Sequence, residues 1–282
     1  MLRRFYEGLK NRLTISDPGR LLGPIFVGFI LFPLISPLLL IVFLSFSSDG
    51  HTVRGKSGIP SLQWYRAIVS SDRVVDAWTS AIEVAVPVGL LGAFFGFLSA
   101  LSWWSPYKRF SLLAVSVLIA QIPATAYSLG LIHLIKALDI DTYSSLIPVT
   151  ISHLLWVLPF CMITIMTSVS QIGSGLIDAA FDLGASSRKV AYGIVFRLVW
   201  PSVISAFLVG FLLSLNEYVR TSYLSGSTQM LSEYIYGKMM SGSDPMVYAL
   251  GGINVALALV VTSLIALSFW YTKRQMKKGV DR

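Results

Sequence analysis

Charged residues are scarce in this chain. Only 13% of its 282 residues are Asp, Glu, Lys or Arg, whereas 55% are hydrophobic, and the mean hydropathy is +0.71. An ordinary soluble domain carries about twice this share of charge. The composition therefore excludes an ordinary soluble protein and predicts a membrane protein.

Cysteine and histidine are also rare. The single cysteine, Cys161, excludes an intrachain disulfide, and it lies in an apolar stretch where we interpret it as a packing residue. His133 and His153 have no carboxylate or cysteine at ligand spacing on the same helix. We interpret both as packing or helix–helix hydrogen-bonding residues, and we expect no metal site and no cofactor in this chain.

Six long apolar runs are present. A transmembrane helix needs about 20 predominantly apolar residues. The runs that meet this requirement are residues 21–46, 77–104, 110–135, 144–168, 202–223 and 248–271. The first is too long for a signal-peptide core and no small-residue cleavage site follows it, so we expect it to remain in the mature protein. The sequence predicts an all-α membrane protein with six transmembrane helices.

The basic residues predict the orientation of these helices. Of the 22 lysines and arginines, 15 fall on the side of both termini and 7 on the other side, so the positive-inside rule places both termini in the cytoplasm. We expect cytoplasmic segments at 1–20 and 272–282, a periplasmic connection at 47–76, and a core of five helices at 77–271 with a cytoplasmic loop at 169–201. The net charge of +8 lies in short connections, which does not indicate nucleic-acid binding.

A phosphate-loop pattern occurs in the first connection. Gly50, four further residues and Gly55-Lys56-Ser57 match G-x-x-x-x-G-K-[ST]. A true phosphate loop opens a helix after a buried strand, but here a membrane helix precedes the pattern and Gly58 and Pro60 follow it. We interpret the match as accidental.

The loop at 169–201 predicts two short helices joined at Gly184. Ser174 is the expected N-cap of the first helix, and Ser186 or Ser187 that of the second. One face of the first helix is apolar and the other acidic: Leu176, Ile177, Ala180 and Phe181 against Asp178 and Asp182. Acids are unfavourable against an anionic membrane surface, so this pattern favours docking to a protein partner.

The same loop resembles the EAA loop of the inner-membrane permease subunits of type I ABC importers. The resemblance rests on Asp178-Ala179-Ala180, three residues, Gly184, nine residues and Ile194. It implies a coupling helix that docks on a separate ATPase subunit through Asp178, Ala179, Ala180, Asp182, Leu183, Gly184 and Ala185. Two features depart from the family pattern: Asp178 replaces the usual Glu, and Arg197 stands where a Leu-Pro pair usually ends, with Pro201 retained.

The resemblance implies a set of partners and a location. It implies two cytoplasmic ATPase subunits that hold ATP and magnesium, a second permease subunit that is related but different, and an external solute-binding protein. The chain itself is then a pore-forming subunit in lipid at the bacterial inner membrane, without enzymatic chemistry and without a nucleic-acid partner.

A second stretch is similar to the polyamine (spermidine/putrescine) subgroup of these permeases. It comprises Ser214-Leu215-Asn216-Glu217 and the later residues 226–232. The subgroup usually has Ser-Leu-Asp-Asp and then Thr-Leu-Pro, so Asn216 and Ser232 depart from it. The resemblance implies that the solute is a polyamine or another small cationic solute.

Ionisable and polar residues inside the runs are candidates for the solute path, because burying them in a membrane is costly. They are Glu83, Asn216, Glu217, Tyr218 and Tyr223, a set of acids and aromatics that suits a cation. Glu83 is alternatively a partner-paired or near-interface carboxylate, and Glu217 alternatively marks the outer end of its helix.

Two other functions remain open from the residues alone. An ion-coupled secondary transporter would depend on Glu83. An intramembrane enzyme would use His133, His153, Cys161 or Glu83, brought together from different helices. Neither alternative explains the paired short helices at 169–201.

Overall fold

The computed structural model describes the backbone of residues 18–48, 60–104, 110–139, 146–242 and 244–280, and the side chains of 26–48, 60–102, 113–139, 146–242 and 244–271. The phosphate-loop pattern at Gly50 to Ser57 lies outside these ranges. The helices are α1 (Pro18–Ser45), α2 (Gln63–Val69), α3 (Asp72–Ala100), α4 (Phe110–Ala120), α5 (Ala124–Ala137), α6 (Ile147–Val169), α7 (Ser174–Asp182), α8 (Ser187–Lys189), α9 (Phe196–Leu215), α10 (Val219–Leu224), α11 (Leu231–Met240) and α12 (Met246–Val280). A 3-10 turn, Leu101–Trp104, follows α3, and a π-helical segment, Val190–Val195, joins α8 to α9.

The apolar runs form helices as expected, with differences in the third and fifth runs. Five helical stretches in the described residues are long and apolar enough to cross a membrane: Phe26–Ser45, Asp72–Ala100, Ile147–Val169, Ser187–Leu215 and Met246–Tyr271. The all-α membrane class is therefore confirmed. The run at 110–135 is not one straight span, because Leu113–Ala120 and Ala124–Ala137 meet at 98°. Pro123 precedes the second piece, and because it has no N–H it removes a backbone hydrogen bond between the two pieces and favours a break there.

The core of the molecule is the three-helix packing of α3, α6 and α9. Glycines let these helices approach closely: a Cβ on Gly92 would lie 2.8 Å from the Cys161 Sγ, and one on Gly96 would lie 3.1 Å from the Cys161 carbonyl carbon. Gly210 of α9 lies against Gly89 in the same way. The G-x-x-x-G spacing of Gly92 and Gly96 thus marks a helix contact, as membrane helices use it, and Cys161 is a fully buried packing residue.

The fifth predicted span, residues 202–223, has different bounds. The helical stretch begins at Ser187, passes through the π-helical segment and ends at Leu215. Pro201 therefore lies inside α9 rather than at its entry. Proline is tolerated there because neighbouring helices pack against the freed backbone. The chain then breaks at residues 216–218 and resumes as the short helix α10.

Two long helices lie at the edge of this core. The last helix, α12, packs against α9 and against α1, and Ser205 and Ser268 hydrogen-bond across the α9–α12 contact. The backbone of α12 remains helical to Val280, so most of the segment predicted as a tail continues the last helix. Phe26, Phe29 and Phe32 of α1 are 65, 77 and 74% exposed, which is the pattern of a helix that faces lipid or another subunit.

The described part of the connection at 47–76 is folded onto the bundle. Ser47 and Pro60 form an antiparallel bridge, and the Trp64 Nε1 donates to the Ser47 carbonyl at 3.0 Å. The Tyr65 hydroxyl donates to the Ser45 Oγ at 2.8 Å. The second span then begins at Asp72, five residues before the apolar run, because its polar first turn is already helical.

Candidate functional site

The paired short helices at 174–189 form a tight hairpin, here called the coupling hairpin. Gly184 has φ +79°, a left-handed conformation that glycine adopts without steric cost. It lets the Ala185 N–H bond the Ala180 carbonyl at 3.0 Å, a typical helix C-terminal closure. The Ser186 hydroxyl caps α8 by accepting from the Lys189 N–H at 3.4 Å. The predicted N-cap Ser174 is wrong: the N-cap is Gly173, with no side-chain bond.

The outer surface of the coupling hairpin is apolar and uncovered. Ile177 is buried at 3% exposure and packs in the core. Leu183 is 89% exposed, Leu176 is 49% exposed and Phe181 is 45% exposed, beside the exposed Asp178 and Asp182. Three large apolar side chains are therefore exposed on this one short segment.

The π-helical segment connects this hairpin directly to the core. Val190 and Val195, at its two ends, are buried, while Tyr192 and Gly193 between them are exposed. π-Helical turns are rare and occur often at functional positions. The hairpin is therefore joined to α9 by a short, continuous helical segment.

A buried polar network holds the break in the fifth span. The His153 Nδ1 lies 2.9 Å from the Ser214 Oγ of α9, and its Nε2 lies 3.2 Å from the Thr221 Oγ1 of α10. This histidine of α6 thus bridges the two sides of the break, and the predicted helix–helix hydrogen-bonding role is confirmed. His133 instead bonds the carbonyl of Leu129 in its own helix.

Glu217 has an internal partner next to this network. Its Oε1 lies 3.3 Å from the Arg220 Nη1 and accepts the Arg220 N–H at 3.1 Å. The Arg220 guanidinium lies 5.0 Å from the centroid of the Trp156 ring and is itself buried. Burying two charges is tolerated when they pair and hydrogen-bond, so Glu217 is engaged within the chain.

A pocket of about 240 Å³ opens between the break, α11 and α12. Its polar and aromatic lining is Asn216, Tyr218, Ser232, Tyr236 and Asn254, and its aliphatic lining is Leu215, Leu231, Ile235 and Met239. The rings of Tyr218 and Tyr236 stack with centroids 4.2 Å apart.

Only two of the five predicted solute-path residues line this pocket. Asn216 and Tyr218 line the pocket, Glu217 turns towards Arg220, and neither Glu83 nor Tyr223 is among the lining residues. Glu83 is exposed on α3, and Tyr223 is 42% exposed on α10. Sequence reasoning missed Tyr236 and Asn254: Asn254 is a polar residue inside the run at 248–271 and could have been found by the criterion applied to the other runs, whereas Tyr236 lies outside the runs and carries no such signal.

Comparison with known proteins decides the family. Residues 90–275 match the family described as binding-protein-dependent transport system inner membrane component. The chain belongs to this permease family. The match includes the coupling hairpin, the break in the fifth span and the whole pocket. As a member it is a multi-pass protein of the bacterial inner membrane and a pore-forming transport subunit rather than an enzyme.

Curated relatives and solved structures agree with the family assignment. The permease is 28% identical over 84% of its length to the spermidine/putrescine transport system permease protein PotC of Haemophilus influenzae, of which it covers 91%. It is 24% identical over 77% of its length to the putrescine permease PotI of Escherichia coli (strain K12), of which it covers 78%. A bacterial transporter that imports the acidic polysaccharide alginate has the same fold, with a TM-score of 0.60 at 13% identity over 96% of this chain and 99% of that one.

Proposed function

We propose that the permease forms one half of the solute path of an ATP-driven importer of polyamines, and that its coupling hairpin docks on a cytoplasmic ATPase subunit. The exposed apolar surface of that hairpin is the observation on which the proposal rests. Leu183 projects almost free of the chain at 89% exposure, although nothing in a monomer requires an exposed leucine there.

The hairpin is built to transmit force rather than to bind solute. Its base is fixed by the buried Ile177, its bend is fixed by the left-handed Gly184, and its far end continues into α9. Closure of an ATPase pair against Leu183 and Phe181 would displace α9 relative to its neighbours. That displacement is the physical basis for switching the pore between inward-open and outward-open states.

The same geometry and the relatives support the proposed partners. Two ATPase subunits, each holding ATP and magnesium, would receive the hairpins of this permease and of a second, related but different permease. The exposed faces of α1 and α3 offer apolar surface for that second subunit or for lipid. A solved alginate transporter contains a solute-bound periplasmic protein, and we propose an external solute-binding protein for this importer too. Both termini would lie in the cytoplasm, with the hairpin.

The polyamine substrate is proposed from the relatives named for spermidine and putrescine. The test is uptake of radiolabelled putrescine into proteoliposomes that contain the assembled complex, with the solute-binding protein outside and ATP inside. We expect saturable uptake that stops when ATP is replaced by a non-hydrolysable analogue. Uptake that follows a proton gradient without ATP would overturn the proposal in favour of an ion-coupled transporter.

A further inference from the structure

The polar groups of the pocket offer hydrogen-bond acceptors. The Asn216 Nδ2 donates to the Leu212 carbonyl at 2.8 Å, and the Ser232 hydroxyl donates to the Glu217 carbonyl at 3.1 Å. These internal bonds leave the Asn216 Oδ1 and the lone pairs of the Ser232 oxygen for a ligand. Within the described residues, the Asn254 Oδ1 is buried without a hydrogen-bond partner. The open acceptors of Asn216 and Ser232 favour a ligand that donates hydrogen bonds, whereas the Asn254 Oδ1 is enclosed and offers no open acceptor.

The aromatic wall of the pocket favours a cation. The stacked rings of Tyr218 and Tyr236 lie at an interplanar angle of 25°. Stacking covers one face of each ring and leaves the outer faces and edges for other contacts. An aromatic face attracts an ammonium group within about 6 Å of its centroid, and more strongly where water is excluded.

No carboxylate lines the pocket among the described residues. The acids on the segments that build it all have internal partners. Glu217 pairs with Arg220, Glu233 accepts from the Ser225 hydroxyl and the Met230 N–H, and Asp244 pairs with Lys238. A cation in the pocket would therefore be held by neutral oxygens and aromatic faces.

We infer that this pocket is a subsite for one primary ammonium group of a slim aminoalkyl chain, recognised by the oxygens of Asn216 and Ser232 and by the tyrosine pair. The volume of about 240 Å³ is below the range of roughly 300–1,000 Å³ for drug-sized ligands, and the aliphatic lining fits a methylene chain. The inference rests on the proposed polyamine import and specifies how this chain recognises the solute.

The experiment measures binding separately from transport. Equilibrium dialysis of radiolabelled putrescine against the purified complex of both permeases and the ATPases, without the solute-binding protein, gives the Kd. 1,4-Butanediol has the same chain but hydroxyls in place of the ammonium groups, so it is the matched competitor. We expect a hundredfold excess of the diol to leave putrescine bound. Displacement by the diol would overturn the inference.

Tyrosine variants test the aromatic contribution. Tyr218→Phe keeps the ring and should change the Kd less than about threefold. Tyr218→Leu and Tyr236→Leu should weaken binding about tenfold, the size of a partly desolvated cation–π contact. Tyr223→Leu is the control, because Tyr223 lies on the adjacent helix α10 outside the pocket. Equal affinities for Tyr218→Leu and Tyr223→Leu would overturn the inference.

Substitution of Asn216 tests the neutral character of the site. Asn216→Asp supplies a carboxylate where the ammonium would lie, and we expect binding at least about fivefold tighter, with a new dependence on salt. Asn216→Leu should weaken it. Unchanged affinity in both variants would overturn the subsite. Putrescine that binds as expected but is never imported with ATP would overturn the proposed function and leave the subsite standing.

Discussion

Gly89 marks the closest approach of α3 and α9. A Cβ at this position would lie 2.8 Å from the carbonyl oxygen of Phe207, and a backbone oxygen cannot move aside as the end of a flexible side chain can. Gly89→Ala should therefore force the helices apart and lower the free energy of unfolding by about 1–3 kcal/mol. Thermal unfolding of the purified protein in detergent measures this.

Gly130 is the matched control for that substitution. It lies within α5, and a Cβ there meets nothing within 4 Å. Gly130→Ala should be neutral or stabilising by up to about 1 kcal/mol, because alanine is the better helix former. Equal thermal midpoints for the two alanine variants would contradict the assigned helix contact.

Asp244 links the end of α11 to the start of α12. It accepts hydrogen bonds from the Lys238 Nζ at 2.7 Å and from the Met246 N–H at 3.0 Å. Burial alone would raise the pKa of this carboxyl, but the two hydrogen bonds outweigh burial and lower the pKa below its usual 3.8. The carboxylate therefore stabilises the fold above that usual pKa, and the stabilisation is lost as the pH falls through the lower, folded-state pKa.

Asp244→Asn should remove this stabilisation. The pair is partly exposed, with side-chain exposures of 36 and 26%, so the loss should be about 1 kcal/mol or less near pH 7. The difference from the parent should shrink as the pH falls below about 4, where the parent carboxyl also takes up a proton. Denaturation midpoints across this range measure the effect, and a constant difference down to about pH 3 would exclude the assigned pair.

At the residue scale, the sequence shows which residues are charged or polar, but it does not show which of them pair with one another in the fold. Glu217 and Arg220 are three positions apart, a spacing at which side chains on a helix can meet. In a hydropathy profile Glu217 is an isolated acid in an apolar run, and for that reason it is a candidate for the solute path. Its internal partner is visible only in the structure, where Glu217 lies in the break at 216–218 and Arg220 lies in the first turn of α10.

At the scale of elements, the bend of the coupling hairpin depends on one backbone conformation. A Cβ on Gly184 would meet nothing within 4 Å, so substitution there costs only the left-handed φ. Asparagine tolerates this region better than alanine, and a β-branched residue tolerates it least. The amount of putrescine imported per ATP hydrolysed should fall in the order Gly184, Asn, Ala, Val. Equal losses for Asn and Val would show that the backbone conformation is not what matters.

The elements differ in how strongly the sequence specifies them. Long apolar runs predicted most of the spans, because desolvation over about 20 residues overrides local detail. The bend before Ala124 has a local signal in Pro123. Hydropathy averaged over a whole span does not reveal this signal. The break at 216–218 contains neither glycine nor proline, and the π-helical segment has no recognised pattern, so both depend on tertiary packing.

At the scale of the whole molecule, the described residues expose apolar surface that the proposed partners would cover. Large apolar side chains are exposed along α1, α3 and the coupling hairpin, and lipid accounts for only those at membrane depth. The hairpin was predictable because the residues that build it are contiguous in sequence. The pocket was not, because its lining is drawn from the break, α11 and α12, whose relative placement is a property of the fold.

The most direct test of the account compares two leucines that occupy the same structural position. Leu183 and Leu138 are the C-cap residues of α7 and α5, and are 89 and 59% exposed. Leu183→Asp, Leu138→Asp and Lys56→Ala are each assembled with the partner subunits, and putrescine uptake and ATP hydrolysis are measured in proteoliposomes. Leu183→Asp should insert normally yet lose at least about 90% of coupled transport, whereas the other two should retain theirs. Full coupled transport in Leu183→Asp would contradict the proposed docking of the hairpin on the ATPase.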